Sequence, residues 1–342
     1  MRNWIATLLL FSLFILSGVA SGQQSPVLSL KTRIPLTKVD GRMDHFGVDV
    51  KGQRLFVTAN ANRTIEVIDL RAGRQVHTIT DLDTPQGAFY DADTNRLFVA
   101  NEGDGTVQIF DGTTFQIMAT VKLTADADNV RYDARGKHIV VGYGGEKLLN
   151  GKVARPGRGG ALAILDSTGQ KTGEIPTTDA HPESFQLETT GTRVFVNIPD
   201  SKEVEVADLV KGTVLAYWPI TGCTDNFPMT LDEPHHRLFV ACRIPPKLLV
   251  FDTENGKTVA SLETLNSDDI FYDASKGRIY VIGTGFIDAF QQNDADHYVK
   301  IGRYPTAPTA RTGFFVPEWG ELFVGARHQG EQSEEILVYE TK

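Results

Sequence analysis

The sequence predicts an all-β chain folded as a seven-bladed propeller, on three observations. A short phrase recurs about every forty residues, each copy holds several short apolar runs with no long helical period, and a strand-like segment precedes the first copy while the last copy lacks its final strand. The phrase is a basic residue followed by Leu-Phe-Val or a close variant. It reads Arg54-Leu55-Phe56-Val57, Arg96-Leu97-Phe98-Val99, Lys137-His138-Ile139-Val140, Arg193-Val194-Phe195-Val196, Arg237-Leu238-Phe239-Val240, Arg278-Ile279-Tyr280-Val281 and, with an acid in first place, Glu321-Leu322-Phe323-Val324. The steps between anchors are 42, 41, 56, 44, 41 and 43 residues, so one repeat, the third, carries an insertion. Repeats of this length made of strands are the mark of propeller blades.

Taken from the N-terminus, residues 1–22 are expected to be a secretory signal. Arg2 supplies a positive start, Ile5 to Leu16 is an almost unbroken apolar run, and Ala20-Ser21-Gly22 offers small residues for cleavage before Gln23. The run is short of the ~20 residues that a membrane span needs, and no cysteine follows it to take a lipid. The mature chain, residues 23–342, is therefore expected in the periplasm or outside the cell as a single domain and a monomer.

The segment Val27 to Leu36 has strand composition, and the last repeat ends at Ile336-Leu337-Val338-Tyr339 with nothing left to form a fourth strand. A single blade cannot bury both faces of its sheet, so the ring must close. The N-terminal segment is predicted to supply the outer strand of the last blade.

Within a repeat the second copy is the clearest. Gly87 to Tyr90 is a predicted strand, Leu97 to Ala100 returns antiparallel after the turn Asp91 to Asn95, Thr106 to Asp111 is the third strand and Phe115 to Val121 the outermost. The insertion in the third repeat, residues 142–160, is glycine-rich with four basic residues. It fails the phosphate-loop pattern, because Glu146 stands where the first glycine belongs and neither Ser nor Thr follows Lys152. It reads as a surface loop, or as a flap that brings Tyr143, Lys147 or Arg155 to an anionic ligand.

Two cysteines suit an oxidising compartment. Cys223 precedes the first strand of the fifth blade and Cys242 ends its second, at the same rim, with Cys242 expected opposite about Phe227. A bond requires the intervening residues to curl back and bring the Cα atoms within ~7 Å; two free thiols are the alternative.

The unit Arg54-Leu55-Phe56-Val57-Thr58-Ala59-Asn60 followed by Thr64-Ile65-Glu66-Val67-Ile68-Asp69 resembles the YVTN-repeat β-propellers, relatives of lactonase-like seven-bladed propellers. The likeness spans nearly the whole mature chain and implies fold far more than function, since such folds host binding proteins, surface proteins and hydrolases. Departures are the stretched third copy and the seventh, where Pro317-Glu318 replaces the usual turn and Glu321 the basic anchor.

With 34 basic against 43 acidic residues the net charge is −9, which argues against a nucleic-acid partner, since that would demand a basic face. A small molecule or protein partner remains. Function in propellers sits at the channel mouth, where the loops entering the innermost strands converge. Counting ten residues back from each anchor superposes those loops at Asp44, Gln86, Ala127 or Asp128, Glu183, Phe227, Asp268 and Arg311, with His45, Asn129, His181, Asp225, Asn226, Asp269 and Thr312 beside them. Carboxylates converging on one mouth repel unless a cation compensates. Arg311 is an internal candidate. A divalent ion is another: Asp44, Asp128, Glu183 and Asp268 suit Ca²⁺ or Mg²⁺, whereas His45 and His181 tilt the choice toward a transition metal such as Zn²⁺. Asp and Asn are also ordinary turn residues, so a solvated vestibule is the plain alternative.

Other residues carry less. His235-His236 falls in a turn at the opposite face, His77, His138 and His297 are isolated, and Ser184 lacks a nucleophile-elbow frame. Arg327-His328 follows the second strand of the seventh blade, on the same side as the acidic mouth. Two functions are thus expected to compete: a non-enzymatic propeller that binds a small ligand, metal ion or protein at its polar mouth, and a lactonase-like metal-dependent hydrolase or lyase in which His45, His181 or His328 is the base.

Overall fold

Each repeat folds as an antiparallel meander because its apolar runs are short and the residues between them are Asp, Asn, Gly and Thr, which set turns. In the computed structural model, residues 25–145, 159–179, 181–328 and 333–342 are described. The leader and its cleavage site, and Lys147 and Arg155 of the insertion, lie outside the described residues. Seven four-stranded sheets result, each ordered from an innermost to an outermost strand. The innermost strands are Phe46–Asp49, Pro85–Asp91, Ala125–Asp133, Phe185–Leu187, Thr224–Asp232, Ser267–Asp273 and Gly313–Val316. The second strands begin at the repeated phrase, from Arg54–Ala59 in blade 1 to Glu321–Ala326 in blade 7. One turn of 3-10 helix, Asn60–Asn62, is the sole helical element among the described residues.

The core lies between neighbouring blades. Leu55 and Val57 of blade 1 pack with Val316 and Phe323 of blade 7, while Phe56 and Val67 on the other face of blade 1 pack with Leu97 and Val99 of blade 2. This follows from side-chain alternation, which turns successive residues of each phrase toward opposite neighbours.

Closure takes the expected form. Leu28–Pro35 pairs antiparallel with Glu335–Thr341, completing the sheet of blade 7 with partners such as Leu30 with Tyr339 and Ile34 with Ile336. Leu28 and Ile34 are buried, the latter against Val338 and Phe323. The exposed side of the strand adds ion pairs from Lys31 to Glu321 and from Arg33 to Glu335.

The basic anchors have a structural purpose. Arg54 pairs with Asp49 at the end of its own inner strand (2.8 Å) and also donates to the Gly112 carbonyl in the outer turn of blade 2 (2.5 Å). The same reach into the next blade recurs from Arg96 to Ser167, Arg193 to Thr253, Arg237 to Ala295 and Arg278 to Lys342. Five blades are thus tied to their successors on the face opposite the mouth. The two exceptions are the departures from the repeat: blade 3, and blade 7, where Glu321 instead receives Lys31 of the closing strand.

Three details correct the sequence expectations. The outer strand of blade 2 is Ile117–Lys122, because Phe115 takes a left-handed conformation (φ 57°) and turns its ring toward Phe56. In blade 3 the second strand starts at His138, since Lys137 occupies the left-handed position of the turn (φ 57°). In blade 5 Cys242 lies opposite Asn226 rather than Phe227, where the register shifts before Met229. Gly222 and Asp225, both with positive φ, curl the chain so that Cys223 and Cys242 are joined with their Cα atoms 6.0 Å apart. Closing a loop with a sequence separation of 19 is worth about 3 kcal/mol on chain entropy.

Ile34→Ala is expected to cost about 2–4 kcal/mol, as a buried large-to-small change does. By contrast Val76→Ala, on the exposed outer strand of blade 1, is expected to change stability by no more than about 0.5 kcal/mol. Urea-denaturation midpoints of the two variants at constant m-value check this.

Candidate functional site

The mouth is built by hydrogen bonds that latch several blades to their neighbours at the inner strands. His45 N–H donates to the Gln86 carbonyl (3.0 Å) and Asp268 N–H to that of Arg311 (3.3 Å). Thr312 Oγ1 donates to Met43 O (3.2 Å), and Asn197 Nδ2 to Phe227 O (2.9 Å). The strands must approach closely for this: a Cβ on Gly87 would lie 2.2 Å from the Asp128 carbonyl oxygen, so only glycine fits. These latches fix the backbone at Gln86, Phe227, Asp268 and Arg311 on the rim.

The resulting cavity, of about 220 Å³, is lined by Arg42, Asp44, His45, Gln86, Glu102, Asp126, Asp128, Asn129, His181, Glu183, Ser184, Phe227, Arg243, Asp268 and Arg311. Six carboxylates thus face three guanidiniums and two imidazoles. The superposed rim positions of six blades do converge, and for blade 3 the structure selects Asp128, while Ala127 packs in the core.

Each imidazole is gripped by acids. His181 sits between Asp126 Oδ2 on Nδ1 and Glu183 Oε1 on Nε2, both at 2.6 Å. Burial alone would lower its pKa, but Glu183 and Asp126 override that and hold it up at about 11. His45 sits with Nδ1 3.0 Å from Asp269, and with Nε2 3.7 Å from both Asp44 and Asp128. Burial again opposes the charge, and the carboxylates of Asp269, Asp44 and Asp128 raise His45 to about 10. Asp269 also accepts the Gly313 N–H (2.9 Å), so it orients His45 from a fixed position and takes no part in the cavity lining.

Asp128 has the least compensation. Burial pushes it up to about 7, His45 opposes this, and Glu183, Asp44 and Asp126 add repulsion. Its Oδ1 is buried with no hydrogen-bond partner among the described residues. Asp44 is likewise raised by burial, against Arg42 at 2.5 Å.

The basic side is held by Asp268, which pairs with both Arg243 and Arg311, the latter at 2.9 Å. Arg243 lies flat over Phe227, 3.5 Å from the ring centroid, a cation–π contact. Burial lowers Arg243 to about 10, with Arg311 and Arg42 repelling it. Arg327 is also lowered by burial and by Arg42 and Arg311, and its Nη2 is buried without a partner among the described residues.

Several predicted residues serve the scaffold. Asn226 is buried and donates to Asn197 and to the Glu203 carbonyl. Asp225 lies outside the lining, its positive φ spent on the turn before Cys242's partner. Gln86 lines the cavity but donates to Glu102 (2.6 Å). Tyr143 is buried and its hydroxyl donates to Glu174 (2.5 Å), so it is not offered to a ligand. His235 and His297 pair with nearby Asp232 and Asp294 at the opposite face, and His328 is exposed, 4.0 Å from Glu334.

All five residues of the metal set, Asp44, His45, His181, Glu183 and Asp268, line this cavity, but as they stand they are engaged by other side chains. Both nitrogens of His181 face carboxylates, Asp268 is taken by two arginines, and among the described residues no three His, Cys, Asp or Glu side chains are grouped to hold an ion. The residues that sequence reasoning missed are Arg42, Glu102, Asp126 and Arg243. A second register would have found two of them. Six residues after the anchor, two second strands deliver a side chain to the same mouth, Glu102 from Arg96 and Arg243 from Arg237; the same position in blade 7, Arg327, lies outside the lining.

The chain matches no family model and no curated protein. Among solved structures it is similar to a chain of Kuenenia stuttgartiensis hydrazine synthase, with a TM-score of 0.70 and 14% identity over 85% of this chain and 95% of that one. It is also similar to a chain of the crystal structure of the mitotic checkpoint complex, with a TM-score of 0.74 and 10% identity over 99% of both chains. Similarity at this level shows the class, a seven-bladed β-propeller, and nothing of its chemistry.

The raised groups fix the sign of the pH dependence. His45 and His181 hold their protons more tightly folded than unfolded, so their stabilisation is complete below about pH 6.5 and fades as pH climbs toward 10 and 11. Asp128, raised from about 4 to about 7, adds a loss across that lower window. Melting temperature is therefore expected to fall from pH 5 to pH 9. Asp128→Asn should remove the part between pH 4 and 7 and raise the melting temperature at pH 8 by about 2 °C or more per kcal/mol regained, read by calorimetry across that pH range.

Proposed function

We propose that this chain is a non-enzymatic ligand-binding propeller of the YVTN-repeat type, exported by its leader to the periplasm or cell exterior, whose vestibule takes a small zwitterionic molecule. The observation that carries the reading is a buried, unsatisfied acceptor on the vestibule lining together with a buried, unsatisfied donor outside the lining but within electrostatic reach of two lining arginines. Asp128 Oδ1 is an acceptor with no donor, and Arg327 Nη2, beside Arg42 and Arg311, is a donor with no acceptor. Leaving such groups unpaired costs about 1–3 kcal/mol each, which a bound ammonium and carboxylate would recover. Burying charge without a partner is a cost that structure accepts at functional sites.

The hydrolase alternative asks His45, His181 or His328 to be a base, and His328 is exposed and outside the vestibule lining. An imidazole held as a cation to about pH 10 or 11 cannot accept a proton at neutral pH, so binding accounts for the geometry better than catalysis.

A thermal-shift titration with ω-amino acids from glycine to 6-aminohexanoate, alongside the matched monoamines and monocarboxylates, tests the reading. At least one zwitterion is expected to raise the melting temperature more than either matched single-charge compound, and Asp128→Asn is expected to abolish that excess. Equal shifts from single-charge compounds, or none from any, would remove the zwitterion reading. Export is checked separately by the intact mass of the protein recovered from a bacterial periplasm, which is expected to begin at Gln23.

A further inference from the structure

His45 marks a throat. Below it, on the side away from the vestibule, lies a second cavity of about 320 Å³, lined by residues of all seven inner strands and sharing only His45 and Ser184 with the first. Its chemistry is different. Where the vestibule is crowded with charge, this chamber presents two aromatic pairs: Phe89 with Tyr132, stacked at 5.5 Å and 10°, and Phe271 with Phe314, tilted at 6.0 Å and 56°. These belong to blades 2 and 3 and to blades 6 and 7, so they flank blade 1 on either side. All four rings are only half-buried, leaving ring surface open to the chamber.

Arg131 is the chamber's uncompensated cation, since His45 and Asp269, which also line it, pair with each other (3.0 Å). Arg131 donates to Asn129 Oδ1 (2.8 Å) and to the Val130 carbonyl (3.1 Å), both neutral acceptors, and its ring neighbour is Phe185, 5.8 Å from the guanidinium carbon. It forms no ion pair within 4.0 Å among the described residues. A guanidinium has five N–H donors in a planar fork matched to a carboxylate, and these two bonds leave most of them free. Gln186 spends its amide nitrogen on the Met229 carbonyl (3.0 Å), which leaves its oxygen as a further polar group on the lining. A cavity with mainly apolar and aromatic walls and a few polar groups is the usual form of a small-molecule site, and this one is at the small end of the range.

We propose that this chamber is a second binding site, for a planar aromatic carboxylate of one or two rings that stacks on the Phe89–Tyr132 and Phe271–Phe314 pairs and places its carboxylate on Arg131. The inference is independent of the vestibule's ligand, because none of the residues that carry it lines that cavity.

The test is calorimetric titration of the mature chain with 2-naphthoate, with neutral 2-naphthalenemethanol and non-aromatic cyclohexanecarboxylate as matched probes. One saturable site for 2-naphthoate is expected, at least tenfold tighter than for either control, because a charged hydrogen-bonded pair and a stacked ring each contribute that much. Arg131→Gln should weaken 2-naphthoate about tenfold or more while leaving the alcohol unchanged. Phe271→Leu should weaken it several-fold, and the vestibule variant Arg311→Gln should leave it within about twofold. Absence of saturable binding to the wild-type chain, or equal binding of acid and alcohol, overturns the proposal without recourse to any variant. Equal weakening by Arg131→Gln and Arg311→Gln overturns it too, since the acid would then sit in the vestibule. The zwitterion titration is unaffected by any of these results, so the two readings fail separately.

Discussion

Everything in this molecule depends on closing a ring whose two ends are far apart in sequence. Leu28–Pro35 supplies the fourth strand of the sheet begun by Gly313–Val316. With that strand in place every blade has a neighbour on both faces, and the apolar residues of each phrase are buried twice over; without it blade 7 would expose a sheet edge and the interfaces with blades 6 and 1 would loosen together. The anchor arginines reinforce the same constraint from the other face, each reaching across to the outer turn of the next blade. Where the ring is sealed by the N-terminal strand, the arginine is replaced by Glu321, which pairs with Lys31 of that strand. The change of sign at the seventh anchor is thus the chemical trace of closure.

Closure has an electrostatic consequence at the mouth. Seven loops are forced onto a narrow circle, and their acids meet at hydrogen-bond distance from two imidazoles and three arginines. The imidazoles become permanent cations, and Asp128 is left as a carboxylate that burial and its neighbours disfavour. Charge is therefore not spread evenly: Asp268, Arg243 and Arg311 neutralise one another on one side, while Asp126, Asp128 and Glu183 share His181 and His45 on the other. That separation, together with the unsatisfied atoms of Asp128 and Arg327, is what gives the vestibule its preference. The lower chamber meets this field only at its roof, where His45 and Asp269 pair with each other, and its Arg131 and aromatic groups give it a separate chemistry.

Much of the site was legible because the repeat supplies its own ruler. Counting back from each anchor reached Asp44, Gln86, Glu183, Phe227, Asp268 and Arg311, all on the cavity wall. The count slipped only in blade 3, where the turn at Lys137 moves the strand start by one residue. Arg243 and Glu102 were missed because only the loops entering inner strands were superposed, although in blades 2 and 5 the exit of the second strand reaches the same rim six residues after the anchor. Arg42 and Asp126 follow neither count. Asn226 and Asp225 show the opposite error: rim position in sequence does not say whether a side chain faces the opening or braces the loop beneath it. Nor does it say that Asp268 would be paired with two arginines.

The sequence alone determined the periodic facts: seven strand-rich units, the alternation that assigns faces, the orphan strand at one end and the missing one at the other. Those are local, since turn chemistry and a two-residue period act within a few residues of where they are written. Partnership was decided only by the tertiary structure. Whether His181 meets Asp126 or a metal ion, whether Cys223 reaches Cys242, and which carboxylate is left without a donor all depend on distances between blades. Those distances are set by the packing of whole sheets around an axis, to which every residue contributes and no short segment gives a reading.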